Sequence, residues 1–215
     1  MDPSIDVVAL VFDRYDRGQS IKSTERHRRG IMDSGFNYQI QGNRDVSNYR
    51  NFLKTSTNKA SLASFICQYI CDNGQDLLPA DKSVVLAGGF EDGEVVKALN
   101  EVGVSSLEEL YSTQEEADTR LVLHAIMLSR NHPRIIIWCD DTDVLVLLVY
   151  YWSRGALADE VYMHAGHSGK FVSKERFIPV HHISTKLGKA ACKSLPAVHA
   201  LSGCDTTSAL YKLGK

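Results

Sequence analysis

RIIIWCDDTDVLVLLVYYW, residues 134–152, decides how the whole chain reads. Pro133 precedes RIIIWC (134–139), a continuous β-branched apolar run of the kind that forms a buried strand. Four polar residues follow, DDTD, of which Asp140, Asp141 and Asp143 are acids. VLVLLVYYW (144–152) then reads as either helix or strand. Working outward, VVALVFD (7–13) and SVVLAGG (83–89) are two more buried strands, the second ending in glycines. NKASLASFICQYICDNG (58–74) has apolar residues at 62, 65, 66, 69 and 70, which is helical spacing. Asn58 is its candidate cap and Gly74 its stop. STQEEADTRLVLHAIMLSR (112–130) is a clear helix, with Ala117, Leu121, His124, Ala125 and Leu128 on one face. Residues 91–103 read as a helix, or a loop followed by one, and 160–173 as a hairpin around His167-Ser168-Gly169. Short helices are expected at 181–191 and 194–203, and another begins at 206–215. Apolar strands separated by helices predict an α/β fold with a central, mostly parallel sheet covered on both faces. Ligands of such sheets sit outside the carboxyl ends of the strands.

Composition sets the outer bounds. The chain has 215 residues, 44% hydrophobic and 23% charged, enough to bury a core without disulfides or a structural metal. No apolar run approaches the roughly 20 residues needed to span a bilayer. The opening MDPSIDVV lacks the basic and apolar regions of a secretory leader. Five widely spaced cysteines, an odd number, argue against a disulfide framework and for a reducing, intracellular compartment. Cys67 and Cys71 stand four apart and read as thiols on one helix face, since no matching Cys/His pair follows at finger spacing. The net charge is −2, yet residues 14–50 carry eight Lys/Arg against four acids. That distribution bears on nucleic-acid partners more than the sum does.

The acids form a constellation. Asp13 ends one strand and Asp140, Asp141 and Asp143 follow another. If the two strands are parallel, their carboxylates emerge along one sheet edge. Converging carboxylates repel one another and are tolerated when a divalent cation neutralises them. All-oxygen ligation suits Mg²⁺ or Mn²⁺ rather than zinc. Two such ions can activate water and stabilise the leaving oxygen of a phosphodiester. Each acid also has a plain structural reading. Asp13 can simply end its strand, and one of Asp140, Asp141 and Asp143 can cap the next helix. Thr113-x-x-Glu116 and Ser112-x-x-Glu115 are both capping-box patterns. Asp118 suits the first turn of a helix, and Asp205 can cap the last one. Glu116 and Asp118 are two apart, so both reach one site only if Glu116 precedes the first full turn.

Four stretches occur in order: VFDRYDRGQSIKSTERHRR, EEADTRL, CDDTDVLVL and LSGCDTTSALYKLGK. Together they resemble the flap-endonuclease branch of the PIN-like nuclease superfamily. That family runs VFDG, a basic arch, an E-A-E-A helix start, a D-x-D strand end, and G-C-D-Y before a helix–turn–helix. The chain also resembles a group of metazoan PIN-like proteins with EEADTR, DTDVLVL and GCDTTSA-like motifs, to which VSNYRNFLKTSTNKASLASFI (46–66) is similar as well. The resemblance implies a three-layer PIN-like domain over 1–215, with 14–50 as an arch-like basic insertion and 206–215 as the start of the helix–turn–helix. It implies a nuclease hydrolysing DNA or RNA with two Mg²⁺ or Mn²⁺ ions, in an intracellular and nuclear setting, with no membrane partner. The metal carboxylates would be Asp13, Glu116, Asp118, Asp141, Asp143 and Asp205, with Asp140 beside them. Lys22 and Arg26 would fall near the arch lysine and arginine that approach the scissile phosphate. The family's upstream Asp-bearing strand has no counterpart here, its G-C-D-Y tyrosine is Thr206, and its G-x-G loop is reduced to Leu213-Gly214-Lys215. The expectation is therefore a domain truncated at both ends and lacking its first strand. A degenerate module that binds nucleic acid or protein without cleaving is the alternative.

Other signals are weaker. His164, His167, His181, His182 and His199 have no partner at zinc spacing, and His124 reads as a satisfied core residue. LAGGFEDG (86–93) lacks the Walker lysine and reads as a tight strand-to-helix turn. No G-x-S-x-G elbow is present. An Asp-x-Asp after a strand also fits a phosphatase-like or haloacid-dehalogenase-like hydrolase, in which the first Asp is the nucleophile.

Overall fold

The computed structural model describes residues 4–14, 37–38, 40–43, 45–46, 48–166 and 176–203. The chain is mixed α/β and gathers into two compact units that divide between Ala117 and Asp118.

The first unit holds a four-stranded sheet in the order β1-β2-β3-β4. Its strands are β1 (Val7–Val11), β2 (Ser83–Ala87), β3 (Val96–Asn100) and β4 (Gly103–Ser106). β1 and β2 are parallel, and the other two pairings are antiparallel. The helix expected within 91–103 is therefore a hairpin. Asn100 accepts from the Val102 amide at 2.9 Å, and Gly103 takes φ +130° to close the turn. LAGGFEDG accordingly joins strand to strand, not strand to helix.

A short α1 (Tyr49–Phe52) leads into α2 (Ser56–Asn73), which ends at Gly74 as its sequence predicts. Asn58 is not the cap. Thr55 takes that position, and Asn58 is buried inside the helix. Its Nδ2 donates to the Phe52 carbonyl at 3.1 Å, and its Oδ1 accepts from the Tyr38 amide at 2.9 Å. Asn58→Ala would take the partner from the half-buried Tyr38 amide and leave the Phe52 carbonyl with only the Thr55 amide at 3.5 Å, a loss of about 1 kcal/mol. Urea denaturation of the first unit, followed by circular dichroism, measures it. An unchanged midpoint would mean that water replaces the amide.

The second unit holds α3 (Ala117–Leu128) from Asp118 onward, β5 (Arg134–Trp138), α4 (Thr142–Ser153), β6 (Glu160–Ala165), β7 (Arg176–Pro179) and α5 (Val180–Ser202). Its sheet runs β5-β6-β7, parallel then antiparallel. Residues 144–152 resolve as helix. The second strand of the expected hairpin lies at 176–179, beyond the expected end at 173. The two short helices expected after residue 181 form one element broken at Gly188, which sits at φ 74°, ψ 159°. The core packs Ile135, Ile137, Val161 and Met163 of the strands against Val144, Leu148 and Val149 of α4.

The expectation of a mostly parallel sheet with both faces covered is corrected here. Of the five strand pairings among the described residues, three are antiparallel. β5 alternates: Ile135 and Ile137 are buried, while Arg134, Ile136 and Trp138 are exposed. A run that reads as continuously apolar is buried on one face only, and Trp138 is 71% exposed. Among the described residues no helix is long and apolar enough to cross a membrane.

Candidate functional site

The carboxyl end of β5 carries the acids that the sequence singled out. Each is fixed by a local requirement of the chain. Asp141 is the N-cap of α4, and its Oδ1 accepts from the Asp143 amide at 2.8 Å. Asp140 reaches across to the neighbouring strand, where its Oδ1 accepts from the Gly166 amide at 2.6 Å. That contact ties the end of β5 to the end of β6. Asp143, in the first turn of α4, is 2.6 Å from His199 Nε2 of α5.

Cys139 reports how these acids gather. Burial is the main cause that pushes its thiol above the ordinary value. The Asp141 amide works against this by donating to Sγ at 3.3 Å. The negative charges of Asp118, Asp141 and Asp140 then push the thiol further up. Asp118 comes from α3 and the other two from the β5–α4 turn, so residues far apart in sequence share one electrostatic neighbourhood. Cys139 is correspondingly a poor nucleophile.

In the first unit, Asp13 does more than end β1. Its Oδ1 accepts from the Ala117 amide at 2.8 Å, which satisfies one of the open donors at the start of α3. The Arg14 amide donates to the Glu115 carbonyl at 2.8 Å, so the chain before α3 is laid beside the end of β1. Neither capping-box pattern marks the start of the helix, because α3 begins at Ala117 instead of 112. Ser112 Oγ accepts from the Gln114 amide at 3.1 Å instead. Glu116 lies just before the helix and Asp118 within its first turn, the placement that two acids two residues apart require. Arg14 belongs to the stretch expected as a basic arch, yet it is buried. Its Nη1 donates to Glu94 Oε1 at 3.2 Å and to the Ser112 carbonyl at 3.3 Å, so it is committed inside the unit.

Lys22, Arg26, Asp205 and His167 lie outside the described residues, as do 206–215. Among the described residues no three His, Cys, Asp or Glu side chains are grouped so as to hold a metal ion. His199 is the residue that sequence reasoning passed over. It stands 56 positions from Asp143, at no ligand spacing, and only the path of α5 brings the two together. His181 faces β6, with Nδ1 3.0 Å from the Val161 carbonyl, while His182 is exposed. His164 is buried and stacks on Phe177 at 4.2 Å. Cys67 is also buried, and burial pushes its thiol up to about 11, so it packs instead of reacting. Compared with protein-family models, curated proteins and solved structures, the chain finds no match.

Proposed function

We propose that the chain is a PIN-like domain of the flap-endonuclease kind, a divalent-metal-dependent nuclease that hydrolyses phosphodiester bonds of DNA or RNA. One observation carries the reading. Asp140 and Asp141 follow the carboxyl end of β5, next to a parallel strand, where ligands of α/β sheets bind. The order of the four sequence motifs supports the same reading. Asp13 and Glu116 belong to the first unit, and Asp205 lies outside the described residues, so the support drawn from geometry rests on the second unit.

The donor chemistry fits a hard cation, because Asp118, Asp141 and Asp143 offer only oxygens. The arrangement does not by itself make a cage, since no three such side chains are grouped among the described residues. Mg²⁺ or Mn²⁺ would supply a Lewis acid at the phosphate and a more acidic bound water. The chain's own part is to hold the carboxylates in place: Asp141 by capping α4, Asp143 through His199, and Asp140 through the Gly166 amide. Those same bonds favour a second reading, a degenerate module that binds without cleaving. In it His199 holds Asp143 and Asp141 serves only as a cap.

Mn²⁺ titration calorimetry on the native chain and on Asp141→Asn/Asp143→Asn separates the two. Asparagine caps a helix about as well as aspartate, so the variant keeps its fold. The nuclease reading expects binding in the native chain and none in the variant. Losing an outer-shell partner of a metal already costs about 10–100-fold, so cleavage of a labelled oligonucleotide should fall at least about a hundredfold. A folded native chain that neither binds Mn²⁺ nor cleaves would overturn the nuclease reading of this chain and leave the second to be tested by its own binding.

A further inference from the structure

We propose that a groove at the carboxyl end of α4 binds the sugar–phosphate backbone of a nucleic-acid strand. The inference rests on the reading of nucleic acid as the partner, and not on cleavage. The groove encloses about 610 Å³ and is lined by Trp152, Arg154, Leu157, Asp159, Lys189 and Lys193, among others. Three cations against one carboxylate give it a net positive lining that suits phosphate.

The cations come from two elements. Arg154 is the C-cap of α4, and its Cζ lies 5.5 Å from the centre of the Tyr150 ring, a cation–π contact that steadies the guanidinium. Lys189 and Lys193 stand four apart on the part of α5 that follows the break at Gly188, so they share a helix face. Trp152 Nε1 donates to the Ala158 carbonyl at 2.9 Å, which fixes the indole as one wall. A cation at a helix C-terminus also complements the helix dipole. That accounts for Arg154, but not for two lysines brought from another helix.

Lysines that are exposed at the rim suit a backbone running through an open groove better than an enclosed small molecule. Position adds to the argument. α4 has Asp141 and Asp143 at its amino end and this groove at its carboxyl end. Its 12 residues span about 18 Å, so charge reverses along a single helix. A strand held at the groove lies within that distance of the acids.

The test measures fluorescence anisotropy of a labelled 15-nucleotide oligo(dT) over a salt series, in EDTA so that no metal contributes. The proteins are the native chain, Lys189→Gln, Lys193→Gln, the double variant, and Lys54→Gln as an exposed-charge control in the other unit. The double variant is expected to bind about tenfold more weakly, with a log–log salt slope shallower by about 1.4, two phosphate contacts at about 0.7 each. Lys54→Gln should match the native chain. Equal binding by the double variant and Lys54→Gln overturns the groove while leaving nucleic-acid binding intact. Absence of binding by the native chain at 50 mM salt overturns both the groove and the nucleic-acid reading. Competition by dTMP as strong as by the oligonucleotide makes it a small-molecule site and overturns the backbone assignment. The Mn²⁺ titration is independent of all these outcomes, so failure here is distinct from failure of the nuclease reading.

Discussion

Acidification from pH 7 to pH 4 costs the native second unit about 3 kcal/mol that the His124→Leu variant keeps. His124 is 2% exposed on α3. Burial, with the Arg120 guanidinium as the second cause, pushes its imidazole down from 6.5 to about 4. Neither ring nitrogen finds a hydrogen-bond partner among the described residues, which corrects the expectation of a satisfied core histidine. The sign follows from which state takes the proton. The unfolded chain protonates His124 as pH falls through its ordinary value near 6.5, while the folded chain stays neutral until about 4. Within that window the unfolded state binds more protons, so stability falls with pH and levels off below about 4. Carboxylates also contribute to acid unfolding, so the comparison with His124→Leu isolates this one group. Leucine breaks no hydrogen bond that the structure gives His124 and keeps an apolar face apolar, so the variant should match the native chain at pH 7. The readout is specific as well. The chain's two tryptophans, Trp138 and Trp152, both lie in the second unit, so their fluorescence follows that unit's unfolding alone. A stability difference between the two proteins that stays constant from pH 7 to pH 4 would sink the idea.

What could be read from the sequence follows from how local each cause is. The strand at 134–138 and the acids after it were legible because an apolar run and its ending are local signals. α2 was legible for the same reason, since its apolar spacing and Gly74 sit within one stretch. The start of α3 was misread because its stabilising contact is remote. Two capping patterns at 112 and 113 pointed to an early start, but the donor at Ala117 is satisfied by Asp13, 104 positions away. The β3–β4 hairpin was hidden because its strands are short and its turn depends on Asn100 and Gly103 acting together. Arg14 looked like part of a basic surface because its partner Glu94 is 80 positions distant. His199 carried no sequence signal, since its approach to Asp143 depends on how α5 is broken at Gly188 and packed against α4. The start of α3 and the place of Arg14 are misses of one kind, a long-range contact overriding a sound local pattern.

Gly89→Ala should unfold or severely loosen the first unit while leaving the second intact. Gly89 follows the end of β2, where the backbone passes close to α2. A Cβ at this position would sit 2.3 Å from Cys67 Sγ and 2.7 Å from the Ala63 carbonyl oxygen. Cys67 is fully buried and Ala63 is 2% exposed, so neither neighbour can move into solvent. One contact is with backbone, which cannot rotate away. Overpacking of well-filled interiors usually costs about 1–3 kcal/mol, and two clashes inside a closed interior put this substitution at or beyond the top of that range. Cys67→Ala provides the internal control. On its own it deletes a buried atom and destabilises. In the Gly89→Ala background it removes the sulfur clash and restores part of the loss, though the Ala63 contact remains. Opposite signs for the same substitution in the two backgrounds are the mark of direct coupling. Hydrogen exchange resolves the outcome by peptide. Protection should be lost across 56–73 and 83–87, with tryptophan fluorescence of the other unit unchanged. If Cys67→Ala is equally damaging in both backgrounds, the clash is not the cause and Gly89 is there for its backbone alone. If protection falls in both units together, the division at Ala117 does not separate two units that unfold independently.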